Sequence, residues 1–172
     1  MNIQSILIGT LLASSGLMAT AGQAVDVQGA WARATVPGQQ ATGAFMTLTA
    51  AEGTQLVGVS SPVAGVAEVH EMNMEGGVMR MRAVQGGVSL PAGKAVELKP
   101  GGYHVMLMDL KATVAKDTTV PLTLLFKDAK GVESQVVLQV PVSTKPPAGM
   151  AQSKDAKMDH GMHGAMPAKK AP

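Results

Sequence analysis

The sequence predicts an all-β domain, an antiparallel β-sandwich of about seven or eight short strands. Three observations predict it. Apolar and polar residues alternate with period two over most of residues 25–142. Gly, Pro and Asp turn signals recur about every ten residues. No stretch carries a long 3.6-residue apolar period with helix caps.

The elements follow in order. "GAFMTLTA" (residues 43–50) alternates, with Thr at outward positions, and "TQLVGVSSPV" follows it. "GVAEVHEMNM" and "GVMRMRAV" form a hairpin through the turn residues Glu75, Gly76 and Gly77. "VSLPAG" and "AVELKPGGYHVMLMDL" come next, the tight "KPGG" turn placing His104 near a strand start and near the rim. "TVPLTLLFKDAKGVESQVVLQVPV" closes the domain as a second hairpin with Asp128 to Gly131 at its tip. After Val142 the β-branched runs stop and Pro, Gly, Ala and Lys take over, which predicts a disordered tail. The chain divides into a leader (1–24), a sandwich domain (25–143) and a Met/His-rich tail (144–172).

The leader "ILIGTLLASSGLMATAGQA" is apolar, then small, and ends in Gly22-Gln23-Ala24. It reads as a secretory signal cleaved after Ala24, implying an exported, periplasmic protein with no membrane span once it is removed. Composition excludes several functions. Fourteen Lys and Arg against twelve Asp and Glu give a net charge of +2, with no basic stripe for nucleic acid. Cysteine is absent, so thiolate catalysis, Cys-based zinc sites and a blue-copper centre are excluded. Thirteen methionines beside no cysteine suit an oxidising compartment, because thioethers form no disulfides.

The four histidines, His70, His104, His160 and His163, all lie close to methionines. On a strand, residues two apart share a face. His70, Met72 and Met74 therefore share one face, and Met79 and Met81 share one face of the next strand. A two-residue turn at either Glu75-Gly76 or Gly76-Gly77 puts His70 and Met81 on the same face; a three-residue turn would not. His104, Met106 and Met108 share a face opposite the apolar set Tyr103, Val105 and Leu107. Thioethers are soft, neutral donors that select Cu(I), and imidazole adds affinity while tolerating Cu(II). Zinc gains little from methionine, and calcium and magnesium want oxygen. Methionine also fills cores, but a solvated tail has no core to fill.

"VHEMNMEGGVMRMR" followed by "LKPGGYHVMLMDLK" resembles the periplasmic copper chaperones of the PCu(A)C type. Ten residues separate His70 from Met81, as in that family's signature, and His104-Val105-Met106 fits its His-x-Met. The Met81–His104 spacing of twenty-two residues is one longer than usual there, a difference that an extra glycine in "QGGVSLPAG" accounts for. "AWARATVPGQQATGAFMTL" is also similar. The resemblance implies a cupredoxin-like Greek-key sandwich and a Cu(I) site of His70, Met81, His104 and Met106. It implies a monomeric metallochaperone without turnover, carrying copper to the CuA centre of a haem-copper oxidase directly or with a Sco-type partner. Met72, Met74, Met79 and Met108 are extra sulfurs, suited to alternative or transfer ligation.

The tail "MDHGMHGAM" resembles Met/His-rich extensions of some members. It offers Asp159, His160 and His163 to Cu(II) and Met158, Met162 and Met166 to Cu(I), a second copper locus within reach of the domain. The competing readings are a copper-buffering or resistance protein with no dedicated acceptor, an electron-transfer protein or enzyme, and an adhesion-like sandwich.

Overall fold

The computed structural model describes residues 25–147, and their regular elements are all strands. In chain order these are β1 (Val25–Arg33), β2 (Ala41–Ala50), β3 (Thr54–Ser60), β4 (Ala64–Glu75) and β5 (Val78–Ala83). They continue with β6 (Val88–Leu90), β7 (Ala95–Leu98), β8 (His104–Leu110), β9 (Thr119–Asp128) and β10 (Glu133–Ser143). The count is ten rather than seven or eight: the sequence reading marks no separate strand over β1, and it runs β7 and β8 together in one stretch across the "KPGG" turn.

The hydrogen-bonded order is β5-β4-β8-β2-β1-β10-β9-β3-β6, with β7 pairing to β2. Pairing is antiparallel throughout except between β1 and β10, which run parallel at Ala32–Val142 and Arg33–Ser143. That crossing joins the halves of the sandwich. It follows a bulge in β1 between Gln28 and Trp31, where Gly29 takes φ +61°, a conformation that costs glycine little.

One apolar cluster draws from both halves, so the sheet path folds into two facing layers. Met46 and Leu48 of β2 and Val105 and Leu107 of β8 enter it from one side; Leu56 of β3 and Leu122, Leu124 and Phe126 of β9 enter from the other. Each fully buried Leu or Phe contributes roughly 1.5–3 kcal/mol over its exposed state.

The period-two reading holds closely in β8. Val105 and Leu107 are fully buried in the core, while Met106 and Met108 on the opposite face are half-buried. At the far end of the domain, Asp128 Oδ1 accepts hydrogen bonds from the Lys130 and Val132 N–H groups, both at 2.8 Å, fixing the β9–β10 turn where the sequence places it.

Candidate metal centre

β4 and β8 build the centre of the site. Their antiparallel register sets His70 opposite His104, and opposed residues in a sheet project from the same face. The two imidazole centroids are 6.1 Å apart. His104 begins β8 just after the Pro100–Gly102 turn, as expected, but it is not an open rim residue: only 5% of it is exposed. Its Nδ1 donates to the Gly102 carbonyl at 3.0 Å. The same carbonyl accepts the Met72 N–H at 3.2 Å. Burial pushes the His104 pKa down, outweighing the carbonyl contact that raises it, and the neighbouring His70 lowers it further. His104 is therefore a neutral imidazole with Nδ1 protonated, which leaves its lone pair on Nε2.

His70 is oriented by a carboxylate that shares its face. Its Nε2 lies 3.0 Å from Glu68 Oε2. A carboxylate accepts only, so Nε2 carries the proton in that contact, and in the neutral ring Nδ1 holds the lone pair. Nδ1 is buried and has no hydrogen-bond partner, the one such side-chain atom among the described residues. A buried polar atom left bare costs about 1–3 kcal/mol. A nitrogen aimed by a carboxylate on the far side of its ring has the arrangement common in metal-ligating histidines.

Thioethers share the face of this pair on all three strands. The β4–β5 hairpin turns at Gly76 and Gly77, with φ +59° and +79°, both values that glycine adopts freely and that a type I′ turn requires. Glu75 opposes Val78, Met74 opposes Met79, Met72 opposes Met81, and His70 opposes Ala83. Met81 is thus a diagonal neighbour of His70 on the shared face, not its direct partner. Met72 lies closer to the centre than its secondary rank in the sequence reading implies. It lines an open cavity of about 270 Å³ together with His104, Met106, Phe45, Thr42 and Arg33. Met106 follows His104 on the same face and opposes Glu68. Met108 is four residues from His104, about 13 Å along the strand, and pairs with Val66 and Ala41 away from the imidazoles. Among the described residues no three His, Asp or Glu side chains gather closely enough to hold a metal ion. The donors that do gather are imidazole and thioether.

The sequence reading overlooked the other wall. Phe45 lies 6.3 Å from the His104 ring and 4.8 Å from Trp31 (centroid to centroid), and Arg33 Cζ stands 5.8 Å from its centroid. Trp31 and Phe45 are buried yet stand outside the main core cluster, on the face that carries the histidines. Gly43 makes room for this wall, since a Cβ there would meet the Phe45 ring at 2.8 Å. Glu68 was the second omission. The spacing Glu68-x-His70 was its available signal, because period two puts both side chains on one face. Met158, Asp159, His160, Met162, His163 and Met166 lie outside the described residues, as does the leader.

Residues 25–142 match the protein family described as "Putative lipoprotein LpqE-like". "Putative lipoprotein Lxx21020" of Leifsonia xyli subsp. xyli is 34% identical over 116 residues, covering 67% of this chain and 69% of that one. The solution structure of apo-DR1885 from Deinococcus radiodurans is 32% identical with a TM-score of 0.51, over 83% of this chain and 95% of that one. Its CuI form is 30% identical at a TM-score of 0.51, over 76% and 83%. The copper-bound PCuAC domain from PmoF2, at 22% identity, shares the fold, with a TM-score of 0.52 over 72% of this chain and 97% of that domain. The chain belongs to the LpqE-like family, and its domain has the cupredoxin-like fold of the PCuAC domains.

Proposed function

We propose that this protein is an exported copper chaperone that holds Cu(I) between β4 and β8 and releases it to an acceptor. The observation that carries the reading is the opposed pair His70 and His104. Each ring has one nitrogen committed to an oxygen acceptor, and the Nδ1 left over on His70 is buried and bare. His70 Nδ1 and His104 Nε2 supply the nitrogen donors. Met106 and Met81 supply sulfur, with Met72 beside them. This donor set is neutral and soft, so it suits Cu(I) and leaves the bound ion cationic and transferable. Copper is the cargo here, and no turnover is assigned to the chain.

Family membership supports the reading, because relatives of similar sequence and fold include a CuI-bound form. The family description as lipoproteins supports export, and the leader expected over residues 1–24 directs it to the periplasm. The proposed destination is the CuA centre of a haem-copper oxidase, reached directly or through a Sco-type partner. The tail residues Met158, Asp159, His160, Met162, His163 and Met166 form a second, Cu(II)-tolerant locus that feeds the domain.

The test is an anaerobic competition titration of Cu(I) between the full chain and a coloured chelator, beside its His104→Ala variant. One tight equivalent that weakens about a hundredfold or more in the variant is the expected result, about 2.8 kcal/mol or more. Binding indifferent to His104 would assign copper to the tail and the domain methionines to packing.

A further inference from the structure

Beyond the imidazoles the sulfur continues outward. Met72 opposes Met81 and Met74 opposes Met79, so four thioethers stand in two rows on the face that carries His70. Hairpin geometry fixes their closeness. The turn closes on Glu75 and Val78 as a hydrogen-bonded pair. The Met72 N–H points away from β5, to the Gly102 carbonyl. Both methionine pairs therefore take non-hydrogen-bonded positions, where opposed Cα atoms are about 4.5 Å apart and side chains lie closest. The rows follow one another at about 7 Å.

Packing does not explain the outer row. Met74 is 66% exposed and Met79 is 48% exposed. No residue of β5 is buried. The opposite face of the hairpin is charged but self-compensated, with Arg80 paired to Glu75 and Arg82 paired to Glu71 and Glu75. The hairpin thus has a neutral sulfur face and a solvated ionic back. Thioethers without imidazole still select Cu(I), with fewer and weaker donors than the inner site.

We infer that Met74 and Met79 form a thioether-only exchange port for Cu(I) at the hairpin tip, reached from the His70–His104 site through Met72 and Met81. This rests on the Cu(I) reading of that inner site. Each step is a ligand substitution: one Cu–S bond forms as one Cu–N or Cu–S bond breaks. Copper stays monovalent, and no proton or electron moves. An acceptor at the tip meets an ion held only by exposed, neutral sulfur.

The test uses the full chain labelled with ¹³C at the methionine methyls, beside the volume-conserving double variant Met74→Leu/Met79→Leu. Cu(I) is added anaerobically under a chelator buffer, and transfer to a second chelator is timed by stopped flow. Three results are expected together. The Met74 and Met79 methyl signals move once the inner site is filled. The inner-site affinity of the variant stays within about twofold of the parent. Its transfer slows roughly tenfold. Silent methyls or unchanged transfer would overturn the port while the His104-dependent equivalent still stood. A large loss of inner-site affinity in the variant would also overturn it, by making the pair part of that site. Absence of any His104-dependent equivalent in the parent would remove the inner-site reading and the port with it.

Discussion

The two long hairpins are built from the same alternation and put it to opposite uses. In β9–β10 the inward positions Leu122, Leu124 and Phe126 meet the facing layer and are buried. In β4–β5 the apolar stripe lies on the face of His70, opposite the Val69 and Val105 face that enters the core. Val69 is the last buried residue of β4, and β5 contributes none to the core. The period-two apolar positions of the two strands, Met72 and Met74 in β4 and Met79 and Met81 in β5, face water or the open cavity instead. The turns differ as well: an aspartate side chain pins one, while two glycines at positive φ shape the other. An apolar stripe therefore reports a shared face, and only a partner layer makes that face a core.

The sharpest way to break this comparison is to cut equal chemistry from both hairpins. Phe126→Ala should cost about 3–5 kcal/mol in urea unfolding, since it opens a cavity in the shared core. A loss below about 1 kcal/mol would mean that β9 is no better packed than β5.

Next in size is the partner of His70. Glu68→Ala should weaken Cu(I) binding about 10–100-fold in the competition titration, because nothing then holds the ring with Nδ1 free. Glu68→Gln keeps an acceptor oxygen and should retain more of the affinity. Equal binding by all three proteins would make the 3.0 Å contact incidental.

A smaller effect follows from His104. Burial lowers its pKa below the ordinary 6.5, so the unfolded chain takes up its proton more readily than the folded one. The stability that follows is fully present above about pH 6.5 and is lost as pH falls from there through the folded value. Melting temperature of the copper-free protein should decline on acidification over that window, and less steeply in His104→Asn. Parallel curves would place the acid sensitivity elsewhere.

Smallest of all, Met79→Ala should change folding stability by no more than about 0.5 kcal/mol, because the side chain touches no core. A cost near that of a core methionine, about 2 kcal/mol or more, would show that the outer row is packed after all.

The faces of the site were legible in the sequence because strand parity is fixed by geometry and needs no partner. His70 with Met81, and His104 with Met106, follow from it once the turn is known to have an even length. The Glu75-Gly76-Gly77 stretch left two even registers open. The positive φ angles at Gly76 and Gly77 choose between them and make Met72, not His70, the direct partner of Met81. Tertiary relations were not legible. The burial of His104 depends on the His70 and Phe45 rings from separate strands, and the parallel β1–β10 crossing depends on a bulge that no alternation encodes. Glu68 reads as an ordinary exposed strand residue until its proximity to His70 Nε2 is seen.

The Gly102 carbonyl receives both the Met72 amide and the His104 ring. One oxygen thus serves the strand ladder and the tautomer at once. If the end of β4 frays from β8, the amide leaves together with the inner sulfur row, and the carbonyl that aims the imidazole loses its anchor. Loosening of two strands and loss of grip on a ligand are then one event on one timescale. Amide exchange at Met72 is where that loosening would first be timed.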